Sequence, residues 1–262
     1  MNETLTVETD ARGVATVTLN RPDKHNVLNA QMIAELTCVA KVLGDDTGVR
    51  VVVLTGAGQS FCAGGDLAWM KAQMEATLAV RKGEARKLAE MLFALNTMPK
   101  PLVGRVQGQA FGGGVGMACV CDVAIGVTGA KFGLTETRLG LIPATIGPYV
   151  LARMGEAMAR RVFMSSRIFA ADTAKELGIL AQVVAPEELD NAVEKEVTPY
   201  LNCAPGAVAE AKALARYLGP KIDDEVIDYS VAALVRQWEG SEAPEGISAF
   251  FDKRKPAWAT GK

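Results

Sequence analysis

At 262 residues the chain is long enough for one large core, or a core with a smaller appendage. Its 28 basic and 30 acidic residues leave a net charge of -2, which gives no electrostatic footprint for nucleic acid or an anionic membrane. The longest uncharged stretch, Val106 to Cys121, is broken by glycines and falls short of the ~20 residues a membrane span needs.

Alternation over Leu5–Thr9 and Val14–Leu19 predicts a hairpin, with Asp10 to Gly13 as its turn. Asn29 is placed to cap an amphipathic helix running toward Gly44. Val51–Leu54 is a β-branched run of the kind buried on both faces of a sheet. A glycine-rich loop from Gly56 to Asp66 follows, then one long helical stretch ending before Pro99. Leu102–Val106 and Val123–Val127 read as further strands, and between them Gly108–Gly114 leads into a short apolar helix. Repetition of strand, glycine-rich turn and helix predicts α/β architecture. From about Pro186 only helical periodicity remains, over Glu187–Cys203, Gly206–Leu218, Ile222–Trp238 and Glu245–Arg254. The division predicted is a core over 1–200 and a helical assembly domain over 201–262. Such a tail could instead fold back on its own core.

The N-terminal segment is polar and acidic, without the basic and apolar regions of a leader, so a cytoplasmic location is expected. The cysteines, Cys38, Cys62, Cys119, Cys121 and Cys203, contain no Cys-x-x-Cys pair, and His25 is the only histidine. Metal-ligand spacing is missing; buried free thiols and no metal are expected. His25 reads as a structural loop residue.

Gly56-x-Gly58 after a strand invites a dinucleotide reading. Phe61 stands where the third glycine belongs, and the loop does not open a helix at once, so that reading is rejected. There is no Gly-Lys-Ser/Thr for a P-loop either. Ala63-Gly-Gly-Asp66 is more informative, because its small residues let a ligand approach backbone N–H groups. Asp66, directly before a helix, has the position of an N-cap. Gly112-Gly-Gly114 opens an apolar helix whose free N–H groups suit a developing negative oxygen. Tight helix–strand packing is the alternative use of either glycine run.

The segments Ser60-Phe-Cys-Ala-Gly-Gly-Asp-Leu67 and Gly112-Gly-Gly114 through Cys121-Asp122 resemble the two fingerprints of the enoyl-CoA hydratase/isomerase (crotonase) superfamily. Leu19-Asn-Arg-Pro-Asp-Lys-His-Asn26, Phe132-Gly-Leu-Thr-Glu-Thr-Arg-Leu-Gly-Leu-Ile-Pro143 and Gly246-Ile-Ser-Ala-Phe-Phe-Asp-Lys-Arg-Lys255 extend the resemblance along nearly the whole chain. It implies a spiral of ββα units with a C-terminal helical trimerisation domain, assembled as a homotrimer or dimer of trimers. It implies an acyl-CoA substrate and no cofactor beyond the CoA that the substrate carries. The implied oxyanion donors are the N–H groups of Gly65 and Gly113, and the implied acid/base is Glu136. Lys24, Ala63, Asp66, Leu67, Gly116, Phe250 and Lys253 occupy positions implied to meet CoA or the acyl chain, the last two from a neighbouring subunit.

The chain departs from the two-glutamate hydratases at Gly116, where they carry a second glutamate. With its run from Glu136 to Val150, it is similar to bacterial methylglutaconyl-CoA-type hydratases. One carboxylate fewer also suits a substrate with an acid group of its own, since like-charge repulsion falls. Three readings stay open: a hydratase, with branched or carboxylated acyl chains among its candidate substrates; a one-base double-bond isomerase; and a non-catalytic acyl-CoA-binding homologue.

Overall fold

The computed structural model describes residues 2–259; residues 260–262 of the expected tail lie outside the described residues. The chain opens with the hairpin β1 (Leu5–Thr9) and β2 (Val14–Leu19). Asp10 closes its turn by accepting from the N–H groups of Arg12 and Val14. Asn29 caps α1 (Ala30–Asp45), accepting from the Met32 N–H at 2.9 Å, as its position before the apolar stripe predicts. Then come β3 (Val51–Gly56), buried throughout, and the short β4 (Ser60–Cys62).

The single long helix expected after Asp66 is two, α2 (Leu67–Glu75) and α3 (Leu78–Thr97). Ala76 and Thr77 between them are extended, and Thr77 caps α3 through the Val80 N–H. Arg81 holds the break by donating to the carbonyls of Gln73 and Met74 at 2.7 and 2.8 Å. The Gln73 carbonyl also accepts from the Ala76 N–H at 3.4 Å, so the guanidinium reinforces the end of α2, where carbonyls run out of helical donors. Helical periodicity continues across the break, so the sequence pattern hides it.

The order continues with β5 (Leu102–Val106), β6 (Gln109–Phe111), α4 (Gly113–Val120), β7 (Val123–Val127) and β8 (Lys131–Gly133). Next are α5 (Gly147–Phe163), interrupted at Gly155, then β9 (Ile168–Ala170), α6 (Ala171–Glu176) and β10 (Gln182–Val184). The chain ends in α7 (Leu189–Leu201), α8 (Pro205–Leu218), α9 (Asp224–Glu239) and α10 (Glu242–Phe251).

Two sheets form. One has the order β1-β2-β3-β5-β7-β10, parallel except for the first hairpin; the other is β4-β6-β8-β9, with only β9 antiparallel. Strands β3, β5 and β7 of the first sheet each run into a short strand of the second and then toward a helix. The units β3-β4-α2, β5-β6-α4 and β7-β8-α5 are therefore turns of a ββα spiral. Strands β4, β6, β8 and β9 are 3 residues each, too short to show a period of two. Strands β4 and β6 lie inside what the sequence suggests are glycine-rich loops.

The apolar core is continuous through β3, β5, α4 and the inner faces of α1 and α3. The tail folds back on it. Ile227 and Val231 of α9 pack with Ala85 and Ala89 of α3, and Ala243 and Ile247 of α10 join Trp238 and Leu141. Helix α8 buries none of its residues and leaves Leu214, Tyr217 and Leu218 exposed.

Candidate active site

In parallel sheets the loops at the carboxyl ends of the strands gather at one edge. Here three such loops come from the adjacent strands β4, β6 and β8: Ala63–Asp66, Gly112–Gly114 and the turn beginning at Glu136. The register places Phe111 opposite Gly133, and the Gly112 N–H donates to the Gly133 carbonyl at 2.9 Å. Parallel pairing, not sequence proximity, thus brings Glu136 to the start of α4.

Glu136 opens a single 3-10 turn, Glu136–Leu139. Gly140 ends the turn at φ 70°, and the Leu141 N–H donates to the Glu136 carbonyl at 3.1 Å. The turn is buttressed from α10: a Cβ on Gly140 would meet the Glu242 backbone, and one on Gly246 would come within 2.9 Å of Leu139 Cα. On the other side, Ser166 Oγ lies 2.6 Å from Thr137 Oγ1 and accepts from the Arg138 N–H at 2.9 Å.

The Glu136 carboxyl points inward. A Cβ on Gly112 would stand 3.0 Å from Glu136 Oε1 and 4.0 Å from Gly64 Cα, so the carboxyl lies by both glycine loops. Oε2 is buried without a hydrogen-bond partner. Burial pushes this acid up to about 7, only slightly offset by its own backbone N–H. This carboxyl is therefore withdrawn from solvent, although it sits on a turn.

Gly65 and Gly113 bring their N–H groups to the same loops, and neither donates to an acceptor among the described residues. Gly113 is the first residue of α4, where helical geometry supplies no acceptor. The Ala63–Asp66 loop is fixed from the opposite side. The Leu28 N–H donates to the Gly64 carbonyl and the Asp66 N–H to the Leu28 carbonyl, each at 2.8 Å. Trp69 and Met70 come within about 4 Å of a Cβ placed on Gly65.

Asp66 is the N-cap of α2, accepting from Ala68 and Trp69. It also pairs with Arg21 at 2.8 Å, with 19% and 14% of the two side chains exposed. Partial burial pushes its carboxyl up. The Arg21 guanidinium and the two N–H donors outweigh that and hold it below its usual value. Ala63 donates its N–H to the His25 carbonyl at 3.0 Å, and so lies beside the turn that ends at Lys24. His25 is structural, with Nδ1 2.9 Å from Ser60 Oγ. Leu67 stands exposed at the first position of α2. Phe250 and Lys253 are exposed at the end of α10, and no hydrogen bond draws either to the glycine loops.

Two residues that the sequence pattern does not single out complete the arrangement. Asn26, fully buried at φ 54°, accepts from the Arg21 N–H and donates to the carbonyls of Ala57 and Ser60. It ties the loop carrying Lys24 to the loop carrying Ala63. The signal available was an Asn closing a polar loop, since Asn tolerates positive φ. The other is Ile146, which packs on Gly116: a Cβ there would lie 2.8 Å from Ile146 Cβ and overlap its Cγ2.

Cys62, Cys119 and Cys121 are buried thiols, each pushed up to about 12 by burial. Cys38 and Cys203 are exposed, which corrects the expectation that all five thiols are buried. Both sit on helices near the surface or just past one. Among the described residues no cluster of His, Cys, Asp and Glu could hold a metal ion.

The site is a buried carboxyl facing two loops that present unpartnered N–H groups, on a ββα spiral. Residues 9–261 match the family described as enoyl-CoA hydratase/isomerase. The short-chain-enoyl-CoA hydratase of Clostridium acetobutylicum is 34% identical over 92% of this chain and 92% of its own length. The crotonyl-CoA hydratase of Syntrophomonas wolfei is 33% identical over 92% and 93%. The crystal structure of an enoyl-CoA hydratase from Shewanella pealeana superposes with a TM-score of 0.81 at 35% identity, covering 98% of this chain and 97% of that one. The chain belongs to the enoyl-CoA hydratase/isomerase family and is an enzyme of the enoyl-CoA hydratase type.

Proposed function

We propose that the chain adds water across the double bond of a 2-enoyl-CoA with Glu136 as its single acid/base. The observation that carries this is the buried carboxyl of Glu136, with Oε1 beside Gly112 and Oε2 unpartnered. As water attacks carbon 3, its oxygen forms the new C–O bond and Glu136 takes its proton. The double-bond electron pair moves onto the thioester oxygen as an enolate. The N–H groups of Gly65 and Gly113 stabilise that oxygen more than the ground-state carbonyl. Glu136 then returns the proton to carbon 2, and the thioester carbonyl re-forms. An acid near neutrality suits both halves of this cycle. CoA is part of the substrate, and the chemistry requires no further cofactor.

Lys24, Ala63, Asp66 and Leu67 are proposed to border the CoA path. The absence of a carboxylate at Gly116 favours a branched or carboxylated acyl chain, because a substrate anion then meets less repulsion. The exposed apolar residues of α8, with Phe250 on α10, favour a homotrimer or dimer of trimers in which Phe250 and Lys253 reach a neighbour's CoA. No helix among the described residues is long and apolar enough to cross a membrane, and a cytoplasmic location is proposed.

The test is a panel of short, long, branched and dicarboxylic enoyl-CoAs in oxygen-18 water. Hydratase activity places the label in a 3-hydroxyacyl product. Gly116 also favours a second reading, because moving a double bond needs one base and no water. Migration from position 3 to position 2 without label would make the enzyme an isomerase.

A further inference from the structure

Gly112 and Gly116 are joined by a helical hydrogen bond, Gly116 N–H to Gly112 carbonyl at 3.1 Å. Gly112, the N-cap, and Gly116 therefore stand one turn apart at the start of α4, about 6 Å along its axis. Gly112 faces the Glu136 carboxyl, and Gly116 faces Ile146. Ile146 is 2% exposed. Its backbone is fixed by the first turn of α5, where its carbonyl accepts from Tyr149 and Val150 at 3.1 and 3.0 Å. Glu136 and Ile146 are thus two ends of one segment laid across the beginning of α4. One covers the first turn with a carboxyl; the other covers the next with a branched apolar side chain.

That contact leaves no room for a side chain at 116, and it covers α4 with an apolar group one turn beyond the contact between Gly112 and Glu136. A dry, shaped wall limits the positions a carboxyl and its water can take. We propose that Ile146 is a positioning residue for the reaction. Its side chain takes the place, one turn along α4 from Glu136, where residue 116 would otherwise project, and holds the Glu136 carboxyl and its water to one alignment. This rests on the hydratase reading given above.

The test compares the wild type with Ile146→Ala and Ile146→Val on the best 2-enoyl-CoA. Opening the wall should lower kcat by ~10-fold and leave KM within ~2-fold, since alignment is lost while CoA contacts remain. Valine, which keeps the branch at Cβ, should restore kcat to within ~3-fold of the wild type. Raised KM with unchanged kcat would make Ile146 a mere acyl contact and overturn the proposal. So would an unchanged Ile146→Ala enzyme, or a loss that valine does not repair. Thermal melts supply a readout independent of turnover: Gly116→Ala should lower the Tm, and by less in the Ile146→Ala background, where the Cγ2 overlap is gone, than in the wild type. Strictly additive losses would overturn the packing on which the proposal stands. A wild type that hydrates no enoyl-CoA would sink the hydratase reading, and the proposal with it. An active wild type with an indifferent Ile146→Ala would sink the proposal alone.

Discussion

The Glu136 carboxyl lies so close to Gly112 that a single added Cβ would stand 3.0 Å from Oε1. Gly112 also holds φ 48° and ψ -114°, a conformation that L side chains adopt only under strain. Gly112→Ala is expected to lower turnover by at least ~10-fold, because displacing a catalytic group by a fraction of an ångström is costly. It should also depress the Tm. Kinetics and a melt on the same preparation check this, and unchanged turnover in folded protein would remove Gly112 from the floor of the site.

Glu136→Gln keeps the shape of the side chain and removes its proton chemistry. Turnover should fall by at least ~10²-fold with CoA-ester affinity within a few-fold of the wild type. Single-turnover assays with a bound enoyl-CoA measure both. A fully active variant would defeat the hydratase and isomerase readings together.

The same substitution has a stability signature. Glu136 lies at about 7 in the folded chain against an ordinary 4.5. Between those values the folded state binds more protons than the unfolded state, so wild-type stability is full below 4.5 and falls as pH rises through about 7. Burying the ionised acid costs up to about 3 kcal/mol at alkaline pH, a cost that glutamine does not carry. The Tm of Glu136→Gln relative to the wild type should therefore be higher at pH 8 than at pH 5. A gap independent of pH would mean that the carboxyl is not held in an apolar setting.

Gly113→Pro deletes one of the two proposed oxyanion donors at a helix position that tolerates proline. Turnover should drop by ~10²–10³-fold. Gly113→Ala is the control. It retains the N–H while its Cβ meets Leu28 Cδ1 at 2.7 Å, so it reports the steric effect alone. Equal losses in the two variants would assign the effect to Leu28 rather than to a missing donor.

Asp66 has two structural tasks, capping α2 and pairing with Arg21. Asp66→Ala should cost about 1–2 kcal/mol from the cap, plus a further cost for leaving the half-buried Arg21 without its partner. Asp66→Asn should recover part of the cap alone. Because the Asp66 carboxyl is held below its usual value, its contribution is present above the unfolded-state value and is lost as pH falls through the lowered folded one. Denaturant midpoints for the wild type and both variants at pH 7 and pH 3.5 decide this. A wild-type advantage that survives at the lower pH undiminished would contradict it.

How much of this was legible in the sequence follows from range. Asn29 and Asp66 were readable as caps, and Leu5–Thr9, Val14–Leu19 and Leu102–Val106 as strands, because capping and alternation are local. The glycine runs at 64–65 and 112–114 were readable because only backbone without side chains permits close approach. The sequence also showed, through Gly116, that one carboxylate is missing. It did not show what stands in that place. Ile146 lies against Gly116 only because the segment after Glu136 is laid back over α4, with α10 pressed against Gly140 to hold it there. The burial of Glu136, and hence its weakened acidity, depends likewise on the register that sets Phe111 beside Gly133. Local chemistry determined the parts and their conformations; strand pairing and packing between distant segments decided which of them face each other, because those distances are fixed by contacts that no local pattern encodes.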